Sequence, residues 1–294
     1  MDTRRVVVTG MGLVTAVGLD RETSWASLQA GTGGIGPIEN LDTEGFKTTF
    51  AAELKGFDAT VVMDPKDARK ADRFAQIAVV AAAEAMAQAG NPVPADPFRA
   101  GVIIGSGIGG MLTFEQQHLK FIKRGPRGVS PMFIPMMIGD MAAGLVSIRY
   151  GYRGANFCTV SACASGGHAI GTAYDQIKLG HADIMITGGS EAAVCNMALG
   201  GFGNMKALST RNDDPATASR PFDAERDGFV LGEGGGILVL EAEEHAVARG
   251  ATILGEVCGY GMTGDAYHMT QPDNEGIGAI GSMQQALRTA GISA

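Results

Sequence analysis

Cysteine is scarce in this sequence, and its placement excludes two kinds of site. The 294 residues include four cysteines, Cys158, Cys163, Cys195 and Cys258, and no two of them have the CxxC spacing. A disulfide framework or a cysteine-based zinc site is not expected, because both need cysteines at paired, regular spacings. Few and unpatterned cysteines are typical of a reduced intracellular compartment. We expect neither a metal ion nor a cofactor.

The sequence also lacks an excess of basic charge and a long apolar run. Its formal net charge is −8, and no basic stripe offsets this, which argues against binding to nucleic acid. No stretch reaches the roughly 18 apolar residues of a membrane span. The N-terminal segment MDTRRVVVTGMG has no signal-peptide core. We therefore predict a cytoplasmic protein without a membrane span.

Apolar segments with strand and helix signals alternate along the chain, which predicts an α/β fold. Apolar residues make up 45% of the chain and charged residues 18%, enough for a well-filled core. Helices are predicted at residues 23–30, 71–89 and 166–180. Strands are predicted at residues 4–9, 101–107, 155–160, 182–189, 235–241 and 251–261.

Two segments far apart in the chain resemble each other. EAMAQAGNPV at residues 84–93 and QALRTAGISA at residues 285–294 both end a predicted helix in Ala-Gly. Each helix also follows a strand and a long loop. This shared order indicates a duplicated fold.

A glycine-rich segment has the pattern of a nucleotide-binding loop. GSGIGG at residues 105–110 fits the G-x-G-x-x-G fingerprint and follows a predicted strand. The acidic residue that confirms this fingerprint, about twenty residues further on, is absent. We therefore interpret these glycines as positions where strands and a substrate approach closely.

The segment TVSACASGGHAI, residues 159–170, surrounds Cys163 with small residues. It lies between a predicted strand and a predicted helix, so Cys163 would occupy a tight corner at a helix N-terminus. Unpaired N–H groups and the helix dipole there favour a thiolate and can hold an oxyanion. A buried structural thiol is the alternative. The other three cysteines lack this setting and are expected in the core.

Histidine, a common proton partner of a cysteine nucleophile, occurs five times. His168 follows Cys163 by five residues, which turns it about 140° away on a helix. His268, in the polar segment GDAYHMTQP, is the one histidine predicted to belong to a site. The others are expected in solvent or on an exposed helix face: His118, His181 and His245. The residues thus predict a nucleophile without an evident base.

Several long segments, in order over the whole chain, resemble the β-ketoacyl-[acyl-carrier-protein] synthases, and most of all the type II elongation enzymes of bacterial fatty-acid synthesis. The resemblance implies a thiolase-like fold of two similar layered halves, and a homodimer. Residues 1–250 would be a complete first half and residues 251–294 the beginning of a truncated second half. The matching segments are VVVTGMGLVTAVG, GSGIGGM, the cysteine segment, LSTRNDDPATASRPFDAERDGFVLGEGGGILVLE and GDAYHMTQP.

The resemblance also implies a reaction. Cys163 would take an acyl group from acyl carrier protein as a thioester, with its own N–H as half of an oxyanion hole. Malonyl-carrier protein would then lose carbon dioxide, and its enolate would attack the thioester. The family stabilises this enolate with two downstream histidines, in a His-Gly-Thr and a Gly-His segment, and uses a Gly-Phe-Gly-Gly gating loop. In the family all three lie downstream of the segment that matches GDAYHMTQP, and none of them is present there in this sequence, so condensation by the 294-residue chain alone is not expected.

Further residues are assigned by the same resemblance. Ile108 and Phe202 would line the acyl tunnel, Phe133 would reach in from a partner subunit, and His268 and Thr270 would contact substrate. Arg69 and Arg73 are four residues apart, so their spacing predicts that they share one helical face. The carrier protein would dock on a basic patch: Lys66, Arg69, Lys70, Arg73 and Arg127.

Two other functions stay open at this point. A ketosynthase of polyketide assembly would share the fold and the cysteine but differ in substrate. A non-catalytic dimerisation or chain-length partner would usually lack the nucleophile, whereas this chain has Cys163.

Overall fold

The computed structural model describes residues 4–294 of the chain. The strands are β1 (Val6–Thr15), β2 (Gly36–Pro37), β3 (Phe50–Ala51), β4 (Ala100–Gly105), β5 (Asn156–Phe157), β6 (Ile184–Ala192), β7 (Glu233–Ala242) and β8 (Gly255–Glu256). The helices are α1 (Arg21–Gln29), α2 (Pro65–Ala68), α3 (Arg73–Gln88), α4 (Met111–Arg124), α5 (Phe133–Met137), α6 (Met141–Tyr150), α7 (Ser165–Lys178), α8 (Asn196–Asn204), α9 (Glu243–Ala248) and α10 (Ile277–Ala290). Among these residues, no helix is both long and apolar enough to cross a membrane.

The main sheet is mixed. Its strand order is β5-β4-β6-β7-β1-β8. Strands β5, β4 and β6 are parallel, whereas β7 is antiparallel to both β6 and β1, and β8 is antiparallel to β1. The carboxyl ends of the three parallel strands therefore meet at one edge of the sheet, where α/β folds place their ligand sites.

Helices cover both faces of this sheet. Because successive side chains of a strand point to opposite faces, Val102 and Ile104 of β4 pack in the core that contains α3 and α6, whereas Ile103 packs with α7. All six residues of β4 are buried. This helix–sheet–helix layering agrees with the α/β fold predicted from the alternation of strands and helices.

The first strand is longer than predicted, because its glycines do not end it. β1 runs through Gly10 and Gly12 to Thr15. A Cβ at Gly10 would lie 2.1 Å from the carbonyl oxygen of Ala85 in α3, and one at Gly12 would lie 1.9 Å from that of Ala81. The glycines therefore let α3 pack directly on the strand backbone, and the predicted end of this strand at residue 9 was wrong.

The same kind of contact recurs near the end of the chain. A Cβ at Gly259 would lie 2.4 Å from the carbonyl oxygen of Ala286 in α10. In both places, backbone N–H groups also donate to side chains of the packed helix. In the first, Met11 donates to Gln88 and Leu13 to Glu84. In the second, Tyr260 donates to Thr289 and Met262 to Gln285. The two segments that end in Ala-Gly thus belong to helices, α3 and α10, that pack in the same way on the glycine-containing segment before them. The division into residues 1–250 and 251–294 stays a prediction.

Other boundaries shift by a few residues. The helix predicted from residue 23 begins at Arg21, because Asp20 caps α1 and its carboxylate accepts the N–H of Thr23 at 2.7 Å. The predicted strand at residues 251–261 was wrong in length, since only Gly255–Glu256 pairs, opposite Val7 and Val8 of β1.

Candidate active site

Cys163 lies just past the carboxyl edge of the parallel strands. It occupies a short 3₁₀ turn, Ala162–Ala164, that leads directly into α7. Its side chain is exposed, so the alternative of a buried structural thiol does not apply. The predicted order of strand, tight corner and helix is present, although β5 itself has only two residues.

The corner before Cys163 has an unusual backbone. Ala162 has φ = 51°, in the left-handed region that favours glycine. Ser165 supports the turn, since its hydroxyl donates to the carbonyl oxygen of Ala162 at 2.7 Å and accepts the N–H of Ser161 at 2.9 Å. The side chain of Thr159 also donates to the carbonyl oxygen of Ser165 at 2.8 Å.

A cavity of about 540 Å³ opens beside Cys163. Ile108 and Phe202, the two residues predicted to line an acyl tunnel, both line it. Phe133, predicted to act from a partner subunit, and His268 and Thr270 are not among its lining residues. The cavity wall is otherwise dominated by small and apolar residues, among them Gly105, Gly189, Ala193, Phe229, Leu231 and Gly234–Gly236.

The glycine-rich segment at the end of β4 forms part of the wall of this cavity. The N–H groups of Gly107 and Ile108 donate to one carboxylate oxygen of Glu191, at 2.7 Å and 3.1 Å. A phosphate cradle needs such N–H groups free, so their use by a carboxylate argues against nucleotide binding. Gly105 meanwhile lets α7 approach the sheet, since a Cβ there would lie 2.3 Å from the backbone carbonyl of Ser165. Gly105 is therefore a position of close backbone approach, although the neighbour is helix α7 and not a strand. Close approach of a substrate stays a prediction.

Glu191 was missed by sequence reasoning. It also accepts from the Ser106 hydroxyl at 3.3 Å, so one carboxylate organises the loop that carries Ile108. Burial raises its pKa, and the hydrogen bonds from the loop partly oppose this effect. A signal was present in the sequence, because an acidic residue follows Gly-Gly-Ser at the end of a buried strand, where an unpaired charge is costly.

No histidine among residues 4–294 lines the cavity. His268 is exposed, and its Nδ1 accepts the N–H groups of Thr270 and Gln271 within its own loop. The expectation that His245 lies on an exposed face was wrong, since its Nδ1 is 2.7 Å from a carboxylate oxygen of the fully buried Glu241. His118 and His181 are exposed, as expected.

His168 does not line the cavity either, but it lies close to the turn that holds Cys163. Its Nδ1 lies 2.5 Å from the hydroxyl oxygen of Ser161, two residues before Cys163. Counting residues along the helix overlooked this contact, because the chain before the turn folds back over the first turns of α7.

The other cysteines differ in burial. Cys195 is buried and Cys158 is half-buried, and burial raises the pKa of both thiols. Cys258 is exposed, so the expectation that it lies in the core was wrong. Within residues 4–294 no group of three or more His, Cys, Asp and Glu side chains is arranged to hold a metal ion.

The predicted docking residues fall into two groups. Lys66, Arg69, Lys70 and Arg127 are exposed. Arg73 is different, because its guanidinium binds Glu233 at 3.0 Å and lies over the ring of Phe57. Arg69 follows the end of α2 whereas Arg73 begins α3, so the prediction of one shared helical face was wrong.

A second cavity, of about 810 Å³, adjoins the first and was not anticipated. Phe229 lines both, and its ring meets that of Phe202 edge-on with centroids 5.3 Å apart. Three cationic side chains line this second cavity, Lys206, Arg220 and Arg226, together with the carboxylate of Asp227.

Comparison with known families gives one clear match. The family model described as "Beta-ketoacyl synthase, N-terminal domain" matches residues 3–246. Among curated proteins, the chain is similar to the 3-oxoacyl-[acyl-carrier-protein] synthase 2 of Vibrio cholerae serotype O1, with 51% identity over 100% of this chain and 71% of that protein. The protein of the same name from Staphylococcus aureus strain COL is 52% identical over 98% of this chain and 70% of its own length.

Solved structures agree with these matches. A β-ketoacyl synthase from Burkholderia phymatum superposes with a TM-score of 0.89 at 39% identity, covering 98% of this chain and 71% of that one. A type II PKS ketosynthase, solved in complex with its acyl-carrier protein, gives the same TM-score of 0.89 at 34% identity, covering 99% and 71% of the two chains. Both share the thiolase-like arrangement of helix and sheet layers.

Proposed function

Because this chain belongs to the β-ketoacyl synthase family, we propose that it acts in type II fatty-acid elongation with Cys163 as the acyl-accepting nucleophile. The observation that supports this most is the exposed Cys163 at the start of α7, beside a cavity lined by apolar side chains. The thiolate attacks the thioester carbonyl of an acyl-carrier protein and forms a carbon–sulfur bond to Cys163. The bond between the acyl carbon and the carrier's sulfur breaks, and the carrier leaves as a thiolate.

Condensation follows in the next step. Malonyl-carrier protein loses carbon dioxide, and the enolate carbon attacks the acyl carbonyl held on Cys163. The cysteine sulfur then leaves with its bonding electrons, and the product stays on the carrier two carbons longer. The positive end of the α7 dipole favours the negative charge that develops on the acyl oxygen.

Fatty-acid elongation is favoured over polyketide assembly because the sequence identity to relatives of the first kind is higher. The fatty-acid relatives are 51% and 52% identical to this chain, whereas the polyketide ketosynthase is 34% identical. A non-catalytic role is disfavoured because the cysteine is present and exposed.

The acyl chain is proposed to occupy the cavity between Ile108 and Phe202. Phe133 is proposed to complete the same pocket in the partner of a homodimer. Exposed apolar side chains on α4 and α5 support an interface there: Phe114, Phe121, Ile122 and Ile134. His268 and Thr270 are proposed to contact the substrate from their exposed loop.

Carrier protein is proposed to dock on the exposed cations Lys66, Arg69, Lys70 and Arg127. Arg73 is left out of this patch, because Glu233 already neutralises its charge. The solved polyketide ketosynthase in complex with its carrier protein supports this kind of partner. The cytoplasm as location stays a prediction.

The test uses the 294-residue chain, an acyl-carrier protein and peptide mass spectrometry. We expect the acyl adduct on Cys163. It should disappear in Cys163→Ala and persist in Cys258→Ala, the matched control, since both side chains are exposed. An adduct on Cys158, Cys195 or Cys258 with Cys163 free would contradict the proposal.

Adding malonyl-carrier protein separates acylation from condensation. Since no histidine of residues 4–294 lines the cavity, we expect little or no ketoacyl product, and loss of one oxyanion donor alone typically costs about 10²–10³ in rate. Turnover like that of the 3-oxoacyl synthase relatives would show that other groups of this chain stabilise the enolate.

A further inference from the structure

The turn before Cys163 is held in a conformation that its sequence does not favour. A left-handed conformation at a residue other than glycine persists only when its surroundings enforce it, and such residues cluster at functional sites. Here the residue is Ala162, which has φ = 51° and directly precedes the nucleophile. The groups that enforce this conformation therefore control where the sulfur of Cys163 points.

Ser165 is one such group, since it bonds to both sides of Ala162. Ser165 belongs to the first turn of α7, so it restrains the turn only locally.

His168 supplies a second restraint from further along the helix. Its Nδ1 lies 2.5 Å from the hydroxyl oxygen of Ser161, on the far side of Ala162 from Cys163. The ring therefore ties the segment entering the turn to the helix leaving it. The helix is itself a fixed support, because Gly105 and Gly189 allow its first turn to pack directly on the sheet backbone.

We infer that His168 is a positioning residue for Cys163, which acts through the Ser161 hydroxyl to hold the left-handed turn that presents the sulfur to the cavity. The inference rests on the proposed role of Cys163 as nucleophile. His168 does not line the cavity, so it is not assigned a proton-transfer step.

Two isosteric substitutions separate positioning from mere filling of space. In His168→Asn the side-chain amide can replace Nδ1, whereas in His168→Gln it replaces Nε2. The rate constant for transfer of an acyl group from saturating acyl-carrier protein to Cys163 is the measured quantity. A misplacement near 1 Å can cost on the order of 100-fold, so we expect His168→Gln and His168→Ala to be slower by about 10- to 100-fold.

We expect His168→Asn to stay within about threefold of the wild type, since it keeps a hydrogen-bonding group at the δ position. The concentration of carrier protein at half-saturation should not change in any variant. Ser161→Ala added to His168→Ala should cause no further loss, because both changes remove the same bond. His181→Ala is the matched control, since His181 is exposed beyond the end of α7.

Ala162→Gly gives an independent test, because it changes the backbone preference of the turn and leaves the contact between His168 and Ser161 in place. Glycine adopts positive φ freely, so the left-handed turn depends less on the contact with His168. His168→Gln should therefore slow acyl transfer less in the Ala162→Gly variant than in the wild type. Equal acyl-transfer rates for His168→Asn, His168→Gln and wild type would overturn the inference. So would variants that change only the concentration of carrier protein at half-saturation and leave the rate constant unaltered. If wild-type Cys163 is not acylated at all, the proposed function fails instead, so the two failures are distinguishable.

Discussion

Gly105→Ala tests whether the close packing of α7 on the sheet sets the position of Cys163. Gly105 is the last residue of β4, and a Cβ there would lie 2.3 Å from both carbonyl atoms of Ser165. Ser165 begins α7 and is two residues beyond Cys163. The added methyl group meets backbone atoms, so no side-chain rotation can relieve the contact.

The size of the effect follows from this distance. Ordinary contacts of a Cβ begin near 3.4 Å, so the first turn of α7 must retreat by about 1 Å. Overpacking of this kind costs about 1–3 kcal/mol of unfolding free energy. Each kcal/mol lowers the melting temperature of a chain of this size by about 2–4 °C. A shift of about 1 Å at a reacting group can cost on the order of 100-fold in rate, so we expect acylation to slow by at least about 10-fold.

The assay measures the rate of acyl transfer to Cys163 and the melting temperature on the same sample. Gly167→Ala is the matched control, because Gly167 lies in the same helix and a Cβ there meets nothing within 4 Å. Alanine in a helix interior is favoured over glycine by about 0.5–1 kcal/mol, so this control should melt at or above the wild-type temperature with an unchanged rate. Wild-type acylation by Gly105→Ala would refute the reasoning, even if that variant melted earlier.

Three further changes have defined outcomes. Ile108→Phe should shorten the longest acyl group transferred to Cys163, and each methylene that no longer fits should reduce transfer roughly fourfold, since a buried CH₂ contributes about 0.8 kcal/mol. Reversal of charge at Arg69 and Lys70 should slow association with carrier protein at low salt and much less at high salt. Glu241→Gln should lower the free energy of unfolding by about 3 kcal/mol, because it breaks a buried ion pair with Arg249. Burial opposes ionisation of Glu241, but hydrogen bonds from Arg249 and its neighbours outweigh burial and hold its pKa below the usual 4.5. The free energy of unfolding of the wild type should therefore fall as the pH drops below about 4.5. Glu241→Gln should lack this contribution to the pH dependence.

Matched controls exist for each of these changes. Ile148→Phe adds the same ring at an exposed position of α6 and should leave chain-length preference unchanged. Arg153→Glu reverses an exposed charge just before β5, at the opposite edge of the sheet from Cys163, and should not alter association. Glu244→Gln removes an exposed carboxylate of α9 and should cost less than about 1 kcal/mol. If a control matched its test variant, the corresponding assignment would be wrong.

Much of the site was accessible from short-range patterns. The small residues around Cys163, between an apolar strand signal and a helix signal, predicted a cysteine at a helix start, and the structure places Cys163 there. Its role as nucleophile stays a proposal. Ile108 and Phe202 came from resemblance to the family, and both line the cavity. Such features are predictable because they depend on the residue types of one segment at a time.

The contacts that were missed join segments distant in sequence. Glu191 binds Gly107 across 84 positions, and Glu233 binds Arg73 across 160. No local pattern shows that a given carboxylate will find a particular amide or guanidinium. Arg73 therefore looked like a free surface cation, although its charge is used inside the fold.

The sequence by itself determined the order of the main buried strands and of α1, α3 and α7, because hydrophobic periodicity and glycine positions act within a few residues. It did not predict the helices α4, α5, α6 and α8. It also determined the family, because long segments match in order. Only the tertiary structure decided that the glycines of β1 contact the backbone of α3. It also decided that the ring of His168 contacts Ser161 and that the carboxylate of Glu191 accepts the N–H groups of the glycine-rich loop. These depend on how helices pack on the sheet, since a hydrogen bond forms only where packing brings a donor and an acceptor within about 3 Å.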